Sequence, residues 1–276
     1  IEQYGVTILA GAPAVLNMVI EAARTWVGPI PGSGTVRVVV AGAPPPTQTI
    51  ELAETLLGWE FIQLYGLTES SPLLTFNRGR AEFDELTPSE RAQRLGRAGG
   101  PALGIEVAIS ADGEVMARGN VIMGGYWELP VETAAAIRSG DDGRDWFYSG
   151  DGGFLDADHY VTISDRKKDV IISGGENVSS IEVEDAVFSH AEVAEVAVIG
   201  VPDEKWGELV MALVVKTPDS TLTEADLIAY VKTKLAGYKC PKRIEFRDVL
   251  ARTSTGKLQK FKLREPYWAG HQKGVN

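Results

Sequence analysis

Cysteine occurs once in these 276 residues, at Cys240, and histidine three times, at His159, His190 and His271. A lone thiol excludes an intramolecular disulfide and fits a reducing cytosol, so a cytoplasmic location is expected. The scattered histidines exclude zinc-type ligand spacing. No stretch approaches the roughly 18 consecutive apolar residues of a helical membrane span. The first residues, Ile1-Glu-Gln-Tyr-Gly-Val6, have neither a basic segment nor an uninterrupted apolar one, and do not read as a signal peptide. They also lack an initiating methionine and run straight into a strand-like segment, so the chain is expected to be a fragment of a longer protein.

Lysine is missing from the whole first part and first occurs at Lys167. Residues 1–164 hold ten arginines and 21 acidic residues, whereas residues 165–276 hold 17 basic and 17 acidic ones. The net charge of −11 therefore lies entirely in the first part. Such asymmetry marks two bodies with different surfaces. The acidic body should repel nucleic acid, and none is expected as a partner. The balanced body has room for a basic patch facing a phosphorylated ligand. An apolar content of 44% is ordinary for a globular protein.

Hydrophobic periodicity then divides the chain into three styles. Residues 1–95 alternate Val6–Ala10, Val36–Val40 and Phe61–Leu64 as strands with helices over Pro13–Thr25 and Gln48–Leu57, the pattern of a mainly parallel α/β sheet. Thr87-Pro-Ser-Glu90 is a helix start with a capping box. Over 96–164, short runs at Ile105–Ile109, Glu114–Arg118 and Tyr160–Ser164 separated by Gly and Asp imply a small antiparallel β unit, interrupted by a helix near Val131–Ile137. Over 165–276, a Ser179/Glu182 capping box before Ile181–Ser189, strands Ala194–Gly200 and Leu209–Lys216 and a helix Glu224–Leu235 imply a compact α+β domain.

Against this background four short segments stand in order: Tyr65-Gly-Leu-Thr-Glu-Ser70, Tyr148-Ser-Gly-Asp151, Asp165-Arg-Lys-Lys-Asp169 and Thr253-Ser-Thr-Gly-Lys257. In the first, Gly66 permits a close turn, the Thr68 hydroxyl can donate to a phosphate oxygen, and Glu69 can hold Mg²⁺, which takes oxygen ligands and bridges substrate phosphates. A plain strand-end turn explains the hexapeptide equally well. Gly42-Ala43-Pro44 follows the second strand, at the sheet edge where open parallel sheets bind ligands, although a simple Gly-Pro turn is the commoner meaning. Asp151, among glycines after an aromatic strand, can accept two hydrogen bonds from a ribose diol or merely mark a turn. The Asp165–Asp169 run reads as a solvated linker or a basic hinge, and Ser173-Gly-Gly-Glu-Asn177 as a flexible loop. The last segment is not a P-loop, because Ala251 stands where that motif needs glycine and Leu258 where it needs Ser or Thr. It is either a surface lysine or a Gly-hinged lysine delivering charge to a reacting group.

As an ordered set these segments resemble the adenylate-forming superfamily of acyl-CoA synthetases, aryl-CoA ligases, luciferases and peptide-synthetase adenylation domains. The resemblance covers essentially the whole chain. Val178-Ser-Ser-Ile-Glu-Val-Glu184 also fits, and Val201-Pro-Asp203 and Lys257-Leu-Gln-Lys-Phe-Lys-Leu263 favour the acyl-CoA synthetase branch. The resemblance implies ATP-dependent activation of a carboxylic acid, an aliphatic one preferred, through an acyl-adenylate to a coenzyme A thioester. It implies that Gly42, Ala43, Pro44, Tyr65 and Gly66 surround adenine, that Thr68 contacts phosphate and Glu69 Mg²⁺, and that Asp151, assisted by Arg166, holds the ribose. Lys257 would bridge carboxylate and phosphate. Asp165 would be the hinge of a mobile C-terminal domain, and Lys168, Gly174, Gly175 and Glu176 would help form the pantetheine tunnel.

Two departures qualify the resemblance. The family's Ser/Thr/Gly-rich loop for the β- and γ-phosphates, which belongs well upstream of Tyr65, is absent from this sequence, and Ala251 replaces a proline common before the lysine motif. The chain is therefore expected to be the C-terminal part of a synthetase and to adenylate poorly alone. A non-catalytic adenylate-binding fragment and an adenylation domain loading a carrier protein are the alternatives. A sheet face left uncovered would expose apolar surface and favour a homo-oligomer.

Overall fold

The computed structural model describes residues 1–140, 142–253 and 256–270. Ser254, Thr255 and His271, named above, lie outside them. The chain forms two compact units, Ile1–Ser164 and Asp165 onward.

The first unit holds two sheets. In one, β1 (Ile8–Gly11), β2 (Arg37–Val40) and β3 (Glu60–Tyr65) are parallel, joined through α1 (Pro13–Arg24) and α2 (Thr47–Thr55). The expected parallel sheet then becomes mixed, because β4 (Thr75–Arg78) and β5 (Gly100–Pro101) join it antiparallel. The physical reason is a short return: only nine residues separate β3 from β4, too few for the crossover that a parallel neighbour needs. Leu16 and Ile20 of α1, Ile50 and Ala53 of α2, and Ala92 and Leu95 of α3 (Pro88–Leu95) close one core over Val38, Val40 and Phe61. Pro13 and Pro88 each open a helix, where their missing N–H costs nothing. The Thr87/Glu90 capping box forms with both reciprocal bonds.

The second sheet consists of β6 (Ile105–Ile109), β7 (Glu114–Gly119), β8 (Ile137–Ser139), β9 (Asp145–Leu155) and β10 (Val161–Arg166), with α4 (Pro130–Ala136) before β8. An antiparallel bridge between Gly99 and Val161 links it to the segment entering β5. Asp151 was expected beyond a strand, but it lies within β9. Between the pairs Met116–Tyr148 and Glu114–Gly152 the register shifts, so β9 carries extra residues, and Gly150 at φ +76° makes the kink.

The second unit is built on one sheet in the order β12 (Glu176–Val178), β11 (Ile171–Ser173), β14 (Gly207–Lys216), β13 (Val193–Asp203), with β15 (Arg243–Phe246) parallel to β14. Strands β13 and β14 are apolar almost without alternation because both faces are covered. On one face Val196, Val198, Ala212 and Val214 pack with α5 (Ser180–Phe188) and α6 (Glu224–Lys232). On the other, Ala197, Ile199, Met211 and Leu213 pack with Leu250, Leu258 and α7 (Lys260–Trp268), an element the sequence pattern did not indicate.

Two expectations change here. The Ser173–Asn177 loop is a tight β-hairpin: Ser173 pairs with Glu176, and Gly174 and Gly175, at φ +63° and +85°, form its two-residue turn. The Ser179/Glu182 box is only half formed. Ser179 Oγ accepts the Glu182 amide, but the Glu182 carboxylate turns to Lys239 Nζ at 2.7 Å, a charged partner stronger than a backbone N–H. Among the described residues no helix is long and apolar enough to cross a membrane.

Leu227 is fully buried between α6 and the sheet. Leu227→Ala should lower the stability of the second unit by about 2–5 kcal/mol, read as a fall in the urea midpoint monitored by amide exchange in β14.

Candidate active site

Parallel pairing of β2 with β3 places Gly42–Pro44 and Tyr65–Gly66 at the same carboxyl edge of the first sheet. Gly42 takes φ +91°, a turn that only glycine makes without strain. Gly66 has no such dihedral demand but has no space: a Cβ there would lie 1.9 Å from the Pro72 carbonyl oxygen. The backbone therefore folds back on itself directly after β3, and a short 3₁₀ turn at Thr68–Ser70 follows. Ser70 is buried, with its hydroxyl donating to the Leu67 carbonyl and accepting the Leu67 amide, both at 2.9 Å. This closed turn leaves Thr68 exposed and Glu69 half-buried.

The Asp151 motif meets this edge. Tyr65 Oη donates to Asp151 Oδ2 at 2.9 Å, across 86 residues of sequence. Asp151 is buried, and its place is fixed by the kink in β9. Ser149 Oγ donates to the Val115 carbonyl at 2.7 Å and accepts the Asp151 amide at 3.1 Å. The buried Glu114 accepts the Gly150 amide at 2.8 Å. Sequence reading did not single out Glu114, because a glutamate opening a strand after an Asp-Gly turn looks like an ordinary surface residue.

Tyr126 is the second residue that sequence reading missed. Its hydroxyl donates to Glu69 Oε1 at 2.8 Å, and the Met123 amide donates to the Glu69 carbonyl at 2.8 Å, so the Met123–Tyr126 segment braces the acid from both ends. Burial, and then the Glu69 carboxylate, raise the Tyr126 hydroxyl above its ordinary pKa, which keeps it a donor at neutral pH. No described residue donates to Glu69 Oε2. Among the described residues no group of three His, Cys, Asp or Glu side chains could hold a metal ion by itself. One anchored carboxylate with an open oxygen suits Mg²⁺, which keeps waters and takes the rest of its ligands from substrate phosphates.

The remaining candidates belong to the second unit. Asp165 is no solvated linker residue. It is 2% exposed, with Oδ1 accepting the Arg166 amide at 2.8 Å and Oδ2 the Ser180 amide at 2.6 Å, at the start of α5. Arg166 is the last residue of β10, and Lys168 is exposed just beyond it. Gly174, Gly175 and Glu176 are exposed at the hairpin turn, where a Cβ on Gly174 would strike the Trp206 ring at 2.8 Å. Lys257 lies in a narrow two-stranded loop. Arg252 pairs with Leu258, the Thr253 amide donates to the Lys257 carbonyl at 2.8 Å, and the Lys257 amide donates to Thr253 Oγ1 at 3.1 Å.

Two family models match this chain in tandem: the AMP-binding enzyme family over residues 1–127 and the AMP-binding enzyme C-terminal domain over residues 182–257. The chain belongs to the adenylate-forming superfamily. It is 41% identical over 281 residues to 2-methylpropanoate–CoA ligase CCL4 of Humulus lupulus, an alignment covering 96% of this chain and 49% of the relative. Among solved structures it is similar to ATP-bound MatB from Rhodopseudomonas palustris, with a TM-score of 0.80 and 30% identity over 96% of this chain and 52% of the other. It is also similar to o-succinylbenzoate CoA synthetase from Bacillus subtilis in complex with its acyl-adenylate intermediate, with a TM-score of 0.76 and 29% identity over 95% and 51% of the two chains. The chain thus spans about half the length of the relatives it matches. The matched family is one of AMP-binding enzymes, and CoA ligases and ATP-bound members are among the proteins this chain resembles.

The Glu114 brace fixes the kink that carries Asp151. Glu114→Ala should weaken AMP binding about tenfold, the equivalent of one lost buried hydrogen bond, whereas Glu114→Gln, which keeps an acceptor for the Gly150 amide, should retain most of the affinity. Titration calorimetry with AMP checks both.

Proposed function

We propose that this chain is the adenylate-holding and lysine-bearing part of an acid–thiol ligase. The ligase converts an aliphatic carboxylic acid to its coenzyme A thioester through an acyl-adenylate. The observation that carries the reading is the Tyr65–Asp151 hydrogen bond, which joins two motifs into one polar corner beside a turn too tight for any residue but glycine at 66. The preference for an aliphatic acid is supported by the name of the 41% identical plant ligase, which acts on 2-methylpropanoate.

The reaction has two displacements. In the first, a carboxylate oxygen attacks the α-phosphorus of ATP, a C–O–P linkage forms and pyrophosphate leaves. Two anions must approach each other, so positive charge is required at the point of contact. Lys257 supplies it to the carboxylate and α-phosphate, and Thr68 donates to a phosphate oxygen. Glu69, held by Tyr126, would hold Mg²⁺, which would supply the charge that neutralises the phosphates. Asp151 and Arg166 hold the ribose, while Gly42–Pro44, Tyr65 and Gly66 flank adenine. In the second displacement the thiol of coenzyme A attacks the acyl carbon and AMP leaves. Rotation about Asp165 withdraws Lys257 and brings Lys168 and the Gly174–Glu176 turn to the pantetheine arm.

A single buried cysteine fits a reducing compartment such as the cytoplasm. Exposed Ile8, Met18 and Phe76 support self-association of this chain.

Direct AMP titration and AMP release with ATP, Mg²⁺, coenzyme A and a panel of carboxylic acids test this reading. The chain should bind AMP, and Asp151→Asn should weaken binding by about tenfold or more, as expected for a charge-assisted hydrogen bond. Acid-dependent AMP release by the chain alone should be slow, since residues 1–64 hold no phosphate-binding loop, and Lys257→Ala should abolish it. Failure of the unaltered chain to bind AMP would overturn the proposal.

A further inference from the structure

Lys260 stands three residues beyond Lys257, at the first position of α7. A cation at a helix N-terminus opposes the helix dipole and needs a compensating partner. Its Nζ lies 2.7 Å from Glu184 Oε1 and donates to Ser180 Oγ at 2.5 Å. Both partners belong to α5, on the opposite face of the sheet from α7. The contact therefore passes around β13, the end strand of its sheet, where Glu184 Oε1 also accepts the outward-facing Val198 amide at 2.8 Å. Burial raises the Glu184 carboxyl above the usual range, and the nearby Asp165 carboxylate adds to the rise, whereas Lys260 and the Val198 amide oppose it. Lys260 thus offsets the Glu184 carboxylate, which stands near the Asp165 carboxylate assigned above as hinge.

A second link runs parallel to the first. One turn along α7, Arg264 pairs with Asp169 Oδ1 at 2.9 Å and donates to the Lys168 carbonyl at 3.2 Å. Both ion pairs are largely shielded from water, with side-chain exposures between 12% and 16%. Removing one partner of such a pair leaves an uncompensated charge and is strongly disruptive. The chain of contacts from Asp165 Oδ2 through Ser180 and Lys260 to α7 is continuous, and each link is a hydrogen bond of 2.6 Å or less.

We infer that Lys260 and Arg264 are positioning residues that fasten the Lys257 loop to the Asp165–Asp169 segment, so that a change at the hinge is carried to the catalytic lysine as motion of one body. This rests on the roles proposed for Asp165 and Lys257, but its physical content is a coupling between two segments of the second unit that is measurable without turnover.

Amide hydrogen exchange on the intact chain tests it. Asp165→Asn should speed exchange at Gly256–Gln259 by about tenfold, with β14 unchanged. In a Lys260→Met background the same Asp165→Asn change should have no added effect on Gly256–Gln259, and in a Lys260→Arg background the effect should return. Arg264→Met should loosen 166–170 and Gly256–Gln259 together. Equal effects of Asp165→Asn with and without Lys260, or uniform acceleration through β13 and β14, would overturn the coupling and leave these pairs as simple stabilisers. If instead Lys257→Ala left AMP release intact, the functional reading would fail while the exchange coupling stood, so the two failures are distinguishable.

Discussion

The buried Glu114 carboxylate accepts the Gly150 amide at the one place where β9 abandons regular pairing with β7. A regular strand there would continue the alternation of its side chains, with no freedom to aim Asp151. The kink frees backbone amides from the ladder, and each freed donor inside the molecule must find an acceptor. Glu114 takes the Gly150 amide and Ser149 takes that of Asp151. With those groups satisfied, Asp151 is held against Tyr65 at the carboxyl edge of the neighbouring sheet, next to the Gly66 turn. Two sheets of different construction, one mixed and one antiparallel, thereby contribute to a single polar corner.

The second unit solves a different problem with the same means. Strand β13 ends its sheet, and its outward backbone groups would be left unpaired. Side chains cover them: Glu184 takes the Val198 amide, and Trp268 Nε1 donates to the Gly200 carbonyl at 3.0 Å. Arg252 holds Glu195 of the same strand at 2.6 Å while donating to the Gly256 carbonyl at 2.7 Å. Protection of the edge and placement of the lysine loop are therefore one set of contacts. A loop carrying a half-buried lysine next to a glycine would otherwise sample more conformers.

The four motifs were legible in the sequence because each is a contiguous run whose residue types are unusual together, and strands β2, β3, β6, β7, β13 and β14 were legible from their apolar runs. What was hidden depends on contacts between distant residues. Glu114 and Tyr126 act on motifs 36 and 57 residues away, and no local pattern marks them. Helix α7 lacks an apolar stripe and contains Pro266, so periodicity does not reveal it; ion pairs from Lys260 and Arg264 and the packing of Leu263 and Tyr267 hold it in place. Gly174-Gly175 reads as slack in a linker, yet the same dipeptide is what a two-residue hairpin needs once Ser173 and Glu176 pair.

The Tyr65–Asp151 bond also bears on how a nucleotide would enter. In the proposed role, Asp151 accepts from the ribose diol, and one of its oxygens is already engaged by the Tyr65 hydroxyl. Exchange of the phenol donor for a ribose donor keeps the carboxylate hydrogen-bonded as the nucleotide enters. Before the ligand arrives, the phenol gives this buried carboxylate one of its donors, which offsets part of the desolvation cost of a buried acid. The Gly42–Pro44 segment and the exposed Thr68 hydroxyl, proposed to meet adenine and phosphate, would add contacts of their own. A site of this kind is organised before binding and loses little order when the nucleotide enters.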